Sequence, residues 1–409
     1  MTLNPATHPA VNKGPAPLPG AEARRRAGLL RRFDWILPGA AVALSVYGAL
    51  LVWSATRGRT SLTGGDPQFF LKRHLLNLAI GLLLMAATSV LSYGWVRACA
   101  PVFYVLSLLG LLAVLTPLGT TINGAHSWIV LGGGFSIQPA EYAKFAVVLG
   151  LAVVLTLQPA TAGLSDQAAD AVTPRRILAA GVVAGVPIGI IVLLPDLGSA
   201  MVILAATAGL LVFAGTSVRW LVLLAAGAAG AAVAAPHLHL LAQHQVNRFA
   251  AFADPHLDPQ GVGYNTAQAR LAIGSGGILG KGLFNGTQTN GRYVPEQQTD
   301  FVFTVAGEEL GFVGSVTLIA LFAVLLLRGI TIARNCDDLF GMLVCSGVVS
   351  WFAFETFENI GMTLGIMPVA GIPLPFVSYG GSSMFASFIA IGLMENVRLR
   401  STRPAVGVG

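Results

Sequence analysis

The sequence predicts an all-α polytopic membrane protein of about ten transmembrane helices, with one large extracytoplasmic loop between the seventh and eighth. Three observations carry that expectation. Of 409 residues, 55% are hydrophobic and only 10% are charged, against about 25% charged in an ordinary soluble domain. The apolar residues fall in long uncharged blocks, and about 20 apolar residues suffice to cross the hydrocarbon core. Basic residues gather at alternate ends of those blocks, as they do when one side of a membrane is cytoplasmic. A soluble enzyme, a disordered chain and a DNA-binding domain are excluded by this composition. The net charge of +6 is mostly topological and implies no nucleic-acid partner.

The elements follow in order. Residues 1–33 are Pro/Ala-rich and carry Lys13, Arg24, Arg25, Arg26, Arg31 and Arg32, which suits a disordered, basic cytoplasmic tail ending at the membrane surface. The uncharged windows place spans near 34–56, 75–96, 99–117, 138–158, 176–195, 199–215, 218–235, 302–328, 339–365 and 383–397. The first apolar run is longer than a signal-peptide core and lacks a clear cleavage site, so it should anchor the chain. With the tail inside, Arg97, Arg175, Arg176, Arg219, Arg328, Arg334, Arg398, Arg400 and Arg403 also fall inside, as do residues 159–175 and the tail 399–409. Arg57, Arg59, Lys72 and Arg73 depart from this pattern. They flank the first external loop, where they could meet lipid phosphates or an anionic ligand. Residues 236–301 form the large external loop, and loops on a rigid scaffold tend to carry function. Its histidines (His237, His239, His244, His256) are too irregular for a zinc site. Cys99, Cys336 and Cys345 show neither metal spacing nor an obvious disulfide pair.

Five segments carry chemistry. In Gln138–Lys144, Pro139 suits a first helical turn, and Glu141 and Lys144, spaced i, i+3, project from one face. Ionisable groups inside a span are functional candidates, although a helix-locking ion pair would serve equally. In Leu194–Ser199, Asp196 either caps the next helix or faces a cavity. In Asn265–Gln288, a short helix and a glycine-dense run should bring Gln268, Arg270 and Lys281 near one another. With free backbone N–H groups, they would suit a phosphate. The spacing is neither a P-loop nor a dinucleotide fingerprint. In Val294–Phe303, Asp300 stands where the large loop re-enters the membrane. Apolar neighbours would raise its pKa toward that of a proton acceptor, while helix capping is the plainer role. In Met367–Ser383, the prolines and glycines forbid a continuous helix. Such a segment must be buried in protein or line a polar cavity, and Ser378 and Tyr379 offer it hydroxyls. Glu308 and Glu309 suit packing inside the bundle. Glu355 and Glu358, on one face of the ninth span, suit a proton relay or arginine partners.

Taken together, QPAEYAK (138–144), LPDLGSA (194–200), AIGSGGILGKG (272–282), PEQQTDFVF (295–303), EELGFVG (308–314) and NIGM…PLPFVSYGGSS (359–383) resemble the SEDS family of shape, elongation, division and sporulation proteins, over nearly all of 34–398. The resemblance implies ten spans and a peptidoglycan glycosyltransferase that polymerises lipid II at the external face. Asp300 then matches the essential aspartate, Glu141 and Lys144 the intramembrane acid–base pair, and Asp196 the acid of the LPDLG motif. Gln268, Arg270 and Lys281 match polar positions of the large loop. A class B penicillin-binding protein with one span is the implied partner, beside lipid II, the growing glycan strand and membrane lipid. Pro373 resembles the elongation-type members, whereas Gly307 looks more like the division type. Three features depart from the pattern: Gln298 stands where the family commonly has His, His126 and Ser127 replace a more basic segment, and Glu358 is an unusual acid. In the expected reaction Asp300 takes the proton of an acceptor hydroxyl, with Thr299 beside it among the substrate contacts. Arg248, Arg270, Lys281 or a divalent cation (Mg or Mn) would meet the departing diphosphate. The competing class is a lipid II flippase that uses the intramembrane Glu141, Lys144, Glu355 and Glu358.

Overall fold

A computed structural model describes residues 33–59, 63–122, 125–132, 135–157, 173–237 and 261–401, together with 245, 246, 248 and 252. Residues 1–32 of the expected tail 1–33, residues 402–409 of the expected tail 399–409, most of the loop 159–175 and all the large-loop histidines except His237 lie outside the described residues. From Asp34 onward the chain forms one compact unit.

The elements are α1 (Ile36–Thr56), α2 (Phe69–Val90), α3 (Tyr93–Val114), β1 (Gly119–Ile122), β2 (Ala125–Gly132), β3 (Phe135–Ile137), α4 (Pro139–Thr156), α5 (Pro174–Leu193), α6 (Leu197–Phe213) and α7 (Val218–His237). The second half holds α8 (Val262–Ser275), α9 (Thr287–Gly291), α10 (Val302–Glu309), α11 (Gly311–Arg334), α12 (Leu339–Leu364) and α13 (Gly381–Ser401). Seven of these, α1 to α5 with α11 and α12, are long and apolar enough to cross a membrane. Leu197–Phe213 and Val218–Ala231 are shorter apolar helices. The protein is therefore a helical, multi-pass membrane protein.

Two features differ from the sequence reading. The polar run after α3 is a three-stranded antiparallel sheet in the order β1-β2-β3, so a small sheet joins the helical fold. The expected eighth span, 302–328, is two helices. The chain breaks at Gly311, which takes φ +65; a Cβ there would lie 2.3 Å from the backbone nitrogen of Gly280. The break falls directly after the acids Glu308 and Glu309, which the sequence reading had placed inside one continuous span.

Burial sorts the helices. α4 and α12 are mostly enclosed, whereas α2, α3 and α5 leave most of their surface to the surroundings. α12 packs on α4, α6 and α11, and α13 runs along α2. At one end of the bundle Asp34 pairs with Arg398 at 2.6 Å and also with Arg328. Residues from the start of α1, from α11 and from α13 thus share one end, as the charge pattern expects of a common side. The non-helical segment 366–380 enters the bundle with Ile372, Leu374, Phe376 and Val377 buried. The ring of Phe376 lies edge-on to Phe352 and to Phe388, 5.3 Å from each. Its backbone rests on α1 at Gly48, where a Cβ would come within 2.3 Å of the Val377 carbonyl oxygen. This is the buried irregular segment that the prolines imply.

Candidate active site

The site is built on three local structures. Pro139 starts α4 in the first turn, and the preceding Gln138 donates its backbone N–H to Ser382 Oγ at 3.0 Å, which ties β3 to the start of α13. Asp196 is the N-cap of α6. It accepts from Ser199 N at 3.0 Å, from Ser199 Oγ at 2.8 Å and from Gln138 Nε2 at 3.1 Å. The loop before α10 is clamped through three successive carbonyls. The Tyr379 N–H donates to Gln298 O at 2.8 Å, Ser378 Oγ to Thr299 O at 2.5 Å, and Asn359 Nδ2 to Asp300 O at 2.8 Å. Asn359 Nδ2 also reaches Ile372 O at 2.7 Å, so one amide joins α12, the re-entrant segment and the Asp300 loop.

These structures surround a cavity of about 530 Å³, lined among others by Trp128, Gln138, Asp196, Arg248, Asn265, Glu296, Thr299, Asp300, Gly371 and Tyr379. Asp300 is pushed up to about 6. Burial is the main cause and the charge of Glu296 adds to it; Arg248 and a hydrogen bond from Thr299 pull it back, and Asp196 adds a smaller push. A carboxylate in that range changes protonation near neutral pH, as a general base requires. Gly371, at φ +71, keeps the neighbouring space clear. A Cβ there would lie 3.4 Å from Asp300 Oδ2 and 3.8 Å from Arg248 Nη1. Arg248 Nη1 reaches Ala370 O at 3.4 Å. Thr299 Oγ1 donates toward Glu296, at 3.2 Å from both the backbone carbonyl and Oε2. The Tyr379 ring stands edge-on to Phe70 at 4.8 Å; burial raises its hydroxyl pKa and Arg73 opposes the rise.

The structure therefore brings Asp300, Asp196, Arg248, Thr299 and Tyr379 together. For Asp196, both readings hold at once: it caps α6 and faces the cavity. Ser378 is buried behind the wall. Its hydroxyl accepts from Leu374 N at 2.8 Å while donating to Thr299.

Five expected substrate contacts lie elsewhere. Glu141 and Lys144 do not line the cavity. Lys144 is buried between α4 and α12, bonded to Glu141 at 2.7 Å and also to Glu355, with its Nζ 5.3 Å from the Trp351 ring centroid. Lys281 does not join Arg270. It pairs with the buried Glu308 at 2.8 Å and donates to Thr287 Oγ1 at 2.7 Å. Arg270 lies over Gly365, where a Cβ would meet its Nε at 2.8 Å. Gln268, on α8, lies outside the cavity lining.

The glycine run also corrects an expectation. It is a seam between backbones and not an open phosphate cradle. Its N–H groups are used internally, Lys281 N to Glu308 O at 3.0 Å and Gly282 N to Glu309 O at 2.9 Å. A Cβ at Gly276 would lie 2.0 Å from Gly307 O, and one at Gly280 would lie 2.1 Å from Glu309 O. Glycine is needed there for close approach.

Glu296, Gln138, Asn265 and Trp128 line the cavity without having been singled out from the sequence. Gln138 and Glu296 sit inside quoted motifs, so the signal was present. What was missing was the knowledge that these loops meet. Among the described residues no three His, Cys, Asp or Glu side chains could hold a metal ion. The carboxylates of Asp196, Glu296 and Asp300 share the cavity without clustering, so the donor set among the described residues does not fit a protein-held divalent cation.

A cavity with a raised-pKa carboxylate, opened beside a re-entrant segment in a helical membrane protein, defines a membrane-embedded enzyme site. Residues 34–403 match the model of the cell cycle protein family that takes in FtsW, RodA and SpoVE, and the chain belongs to that family. It is 34% identical over 385 residues to the "Probable peptidoglycan glycosyltransferase FtsW" of Trichlorobacter lovleyi, covering 92% of this chain and 96% of that one. It is 35% identical over 363 residues to "Peptidoglycan glycosyltransferase MrdB" of Escherichia coli K12, covering 87% and 90%. Among solved structures, it superposes with TM-score 0.70 on a chain of a peptidoglycan synthase complex that coordinates polymerization and crosslinking, at 32% identity over 90% of this chain and 97% of that one. The Rod shape determining protein RodA of Thermus thermophilus matches with TM-score 0.63 and 30% identity, over 91% and 98%.

Proposed function

We propose that this protein is a peptidoglycan glycosyltransferase. It polymerises lipid II into β-1,4 glycan strands at the outer face of the bacterial cytoplasmic membrane, with ten spans and both termini cytoplasmic. The observation that carries the reading is Asp300, a carboxylate titrating near pH 6 beside Arg248 in an open cavity. Asp300 takes the proton from the acceptor GlcNAc 4-hydroxyl as that oxygen attacks C1 of the donor MurNAc. The C1–O bond to the diphosphate breaks, and the α-linked donor becomes a β-1,4 link. One inversion needs a single base and no covalent intermediate, by analogy with inverting hydrolysis. Arg248 offsets the negative charge that grows on the departing undecaprenyl diphosphate. Thr299 and Glu296 set the state of Asp300, and Tyr379, Asp196 and Gln138 offer hydrogen bonds to sugar. No step is assigned to a metal ion.

The partner is a class B penicillin-binding protein, which would crosslink the strands as they emerge. Pro373 supports the elongation role, and relatives named for division and for sporulation match equally well. The test is polymerisation of lipid II by the purified protein, wild type and Asp300→Ala, with and without divalent cation. Polymer made at the wild-type rate by the Asp300 variant would remove that residue from the mechanism.

A second reading, lipid II flipping, draws on Glu358, which is fully buried in α12 with both carboxylate oxygens unpartnered among the described residues. A reconstituted assay scoring polymer and flipping separately decides between them. Flipping without polymer would favour transport.

A further inference from the structure

The bases of this protein fall into two groups. Lys72, Lys144, Lys281, Arg328 and Arg398 each meet a carboxylate. Several others, Arg57, Arg59, Arg248 and Arg292 among them, make no ion pair among the described residues. Arg248 lines the cavity, and the other three gather where the turn after α1 meets the loop 284–296. Arg57 and Arg59 follow directly on the apolar helix α1, at the level where a membrane presents phosphates. Arg292 donates to Gly58 O, which brings its guanidinium against that turn. Arg57 lies over the Phe284 ring at 4.7 Å. Arg59 Nε is buried without a hydrogen-bond partner among the described residues, and Arg59 feels the charges of both Glu296 and Arg292. Glu296 lines the cavity with Asp300, so Arg59 is electrostatically coupled to a residue of the cavity wall. The loop is held in strained form, with Phe284, Arg292 and Glu296 at φ 70, 58 and 48, conformations that persist only where surroundings impose them.

The chemistry of polymerisation calls for two anion sites. The donor loses its diphosphate at the reacting carbon, beside Asp300 and Arg248. An acceptor lipid II keeps its own diphosphate, at the far end of its disaccharide from the reacting hydroxyl. We propose that Arg59 and Arg292, supported by Arg57, form a second anion subsite that holds the retained diphosphate of the acceptor. The assignment rests on the polymerase reading. Guanidinium pairs bind phosphate oxygens bidentately, and an unpaired buried donor is ready to accept such a partner.

The experiment uses full-length protein in phosphatidylcholine nanodiscs. For the Arg59→Ala/Arg292→Ala double variant, KM for lipid II should rise about tenfold or more, the loss expected for hydrogen bonds to a charged group, with kcat nearly unchanged. The Lys/Lys variant at the same positions should recover part of it, which separates charge from folding. Direct titration with undecaprenyl diphosphate should weaken in parallel. Unchanged KM and unchanged titration would overturn the subsite. A fall in kcat at constant KM would also overturn it, assigning the pair to the scaffold. A defect that arises only when phosphatidylglycerol is added would assign the arginines to lipid headgroups instead. A wild-type protein that binds undecaprenyl diphosphate through these arginines yet makes no polymer would sink the polymerase reading and, with it, the acceptor assignment, while keeping the anion site.

Discussion

Two polar regions lie within this apolar bundle, and they treat charge in opposite ways. Between α4 and α12, Glu141, Lys144 and Glu355 are fully enclosed, and the single ammonium is shared by two carboxylates. At the cavity, Asp300, Glu296 and Arg248 lie within electrostatic reach of one another, yet none closes an ion pair among the described residues. The enclosed group is ion-paired internally and does not line the cavity. The open group has space and unfulfilled charge. A buried pair broken on one side leaves a stranded charge and costs stability, whereas a carboxylate kept apart from its neighbours retains a pKa that chemistry can use. The difference separates charge that holds the helices from charge that meets substrate.

The comparison can be broken at either end. The largest effect should come from Asp300→Asn, which keeps shape and removes the base. Lipid II polymerisation is expected to fall about 100- to 10,000-fold, the range for a general base, with the thermal midpoint nearly unchanged. A large loss of stability would move Asp300 into the structural group. Next, Lys144→Met should destabilise by about 3–5 kcal/mol, measured by denaturation in detergent, because two carboxylates are left without their cation. Adding Glu141→Gln and Glu355→Gln should restore much of that stability. If Lys144→Met instead abolished activity in a protein of normal stability, the ion cluster would belong with the site.

A smaller effect is expected at Glu308, which accepts from Lys281, Thr287, Gln288 and Thr289 and so staples the loop 281–289 to α10. Glu308→Gln should lower stability by about 1–3 kcal/mol, as for a buried group losing charged hydrogen bonds. The gentlest test is electrostatic. The charge of Glu296 raises the Asp300 pKa, so Glu296→Gln should lower it. Since the base works deprotonated, wild-type activity should rise with pH through about 6, and in the variant that acidic limb should move to lower pH. An unmoved limb would show that another group controls the profile.

The sequence revealed the helices because the membrane makes charge scarce, and their ends followed from where Arg and Lys reappear. It did not reveal the sheet at 119–137, because β1 and β3 are only four and three residues long and the sequence of β2, AHSWIVLG, does not alternate strictly. Nor did it reveal the break at Gly311, which depends on a backbone contact with Gly280. Within the site, Asp300 and Asp196 were legible as acids at membrane boundaries. Lys281 was misplaced because its partner, Glu308, lies 27 residues further on, and spacing alone does not say which acid a base will meet. Glu296 was overlooked for a related reason. Its importance comes from loops that converge only in three dimensions.

The clamp on the Asp300 loop grips backbone oxygens of residues 298, 299 and 300 and ignores their side chains. The course of the loop is thereby insulated from mutation at those positions. The side chain at Gln298 can therefore change without displacing the carboxylate two residues on. Natural variation can thus retune the hydrogen bonding and acidity around the base while its location stays fixed. Such an arrangement lets one membrane scaffold be adapted to different settings by substitution beside the catalytic group, with no rebuilding of the bundle that carries it.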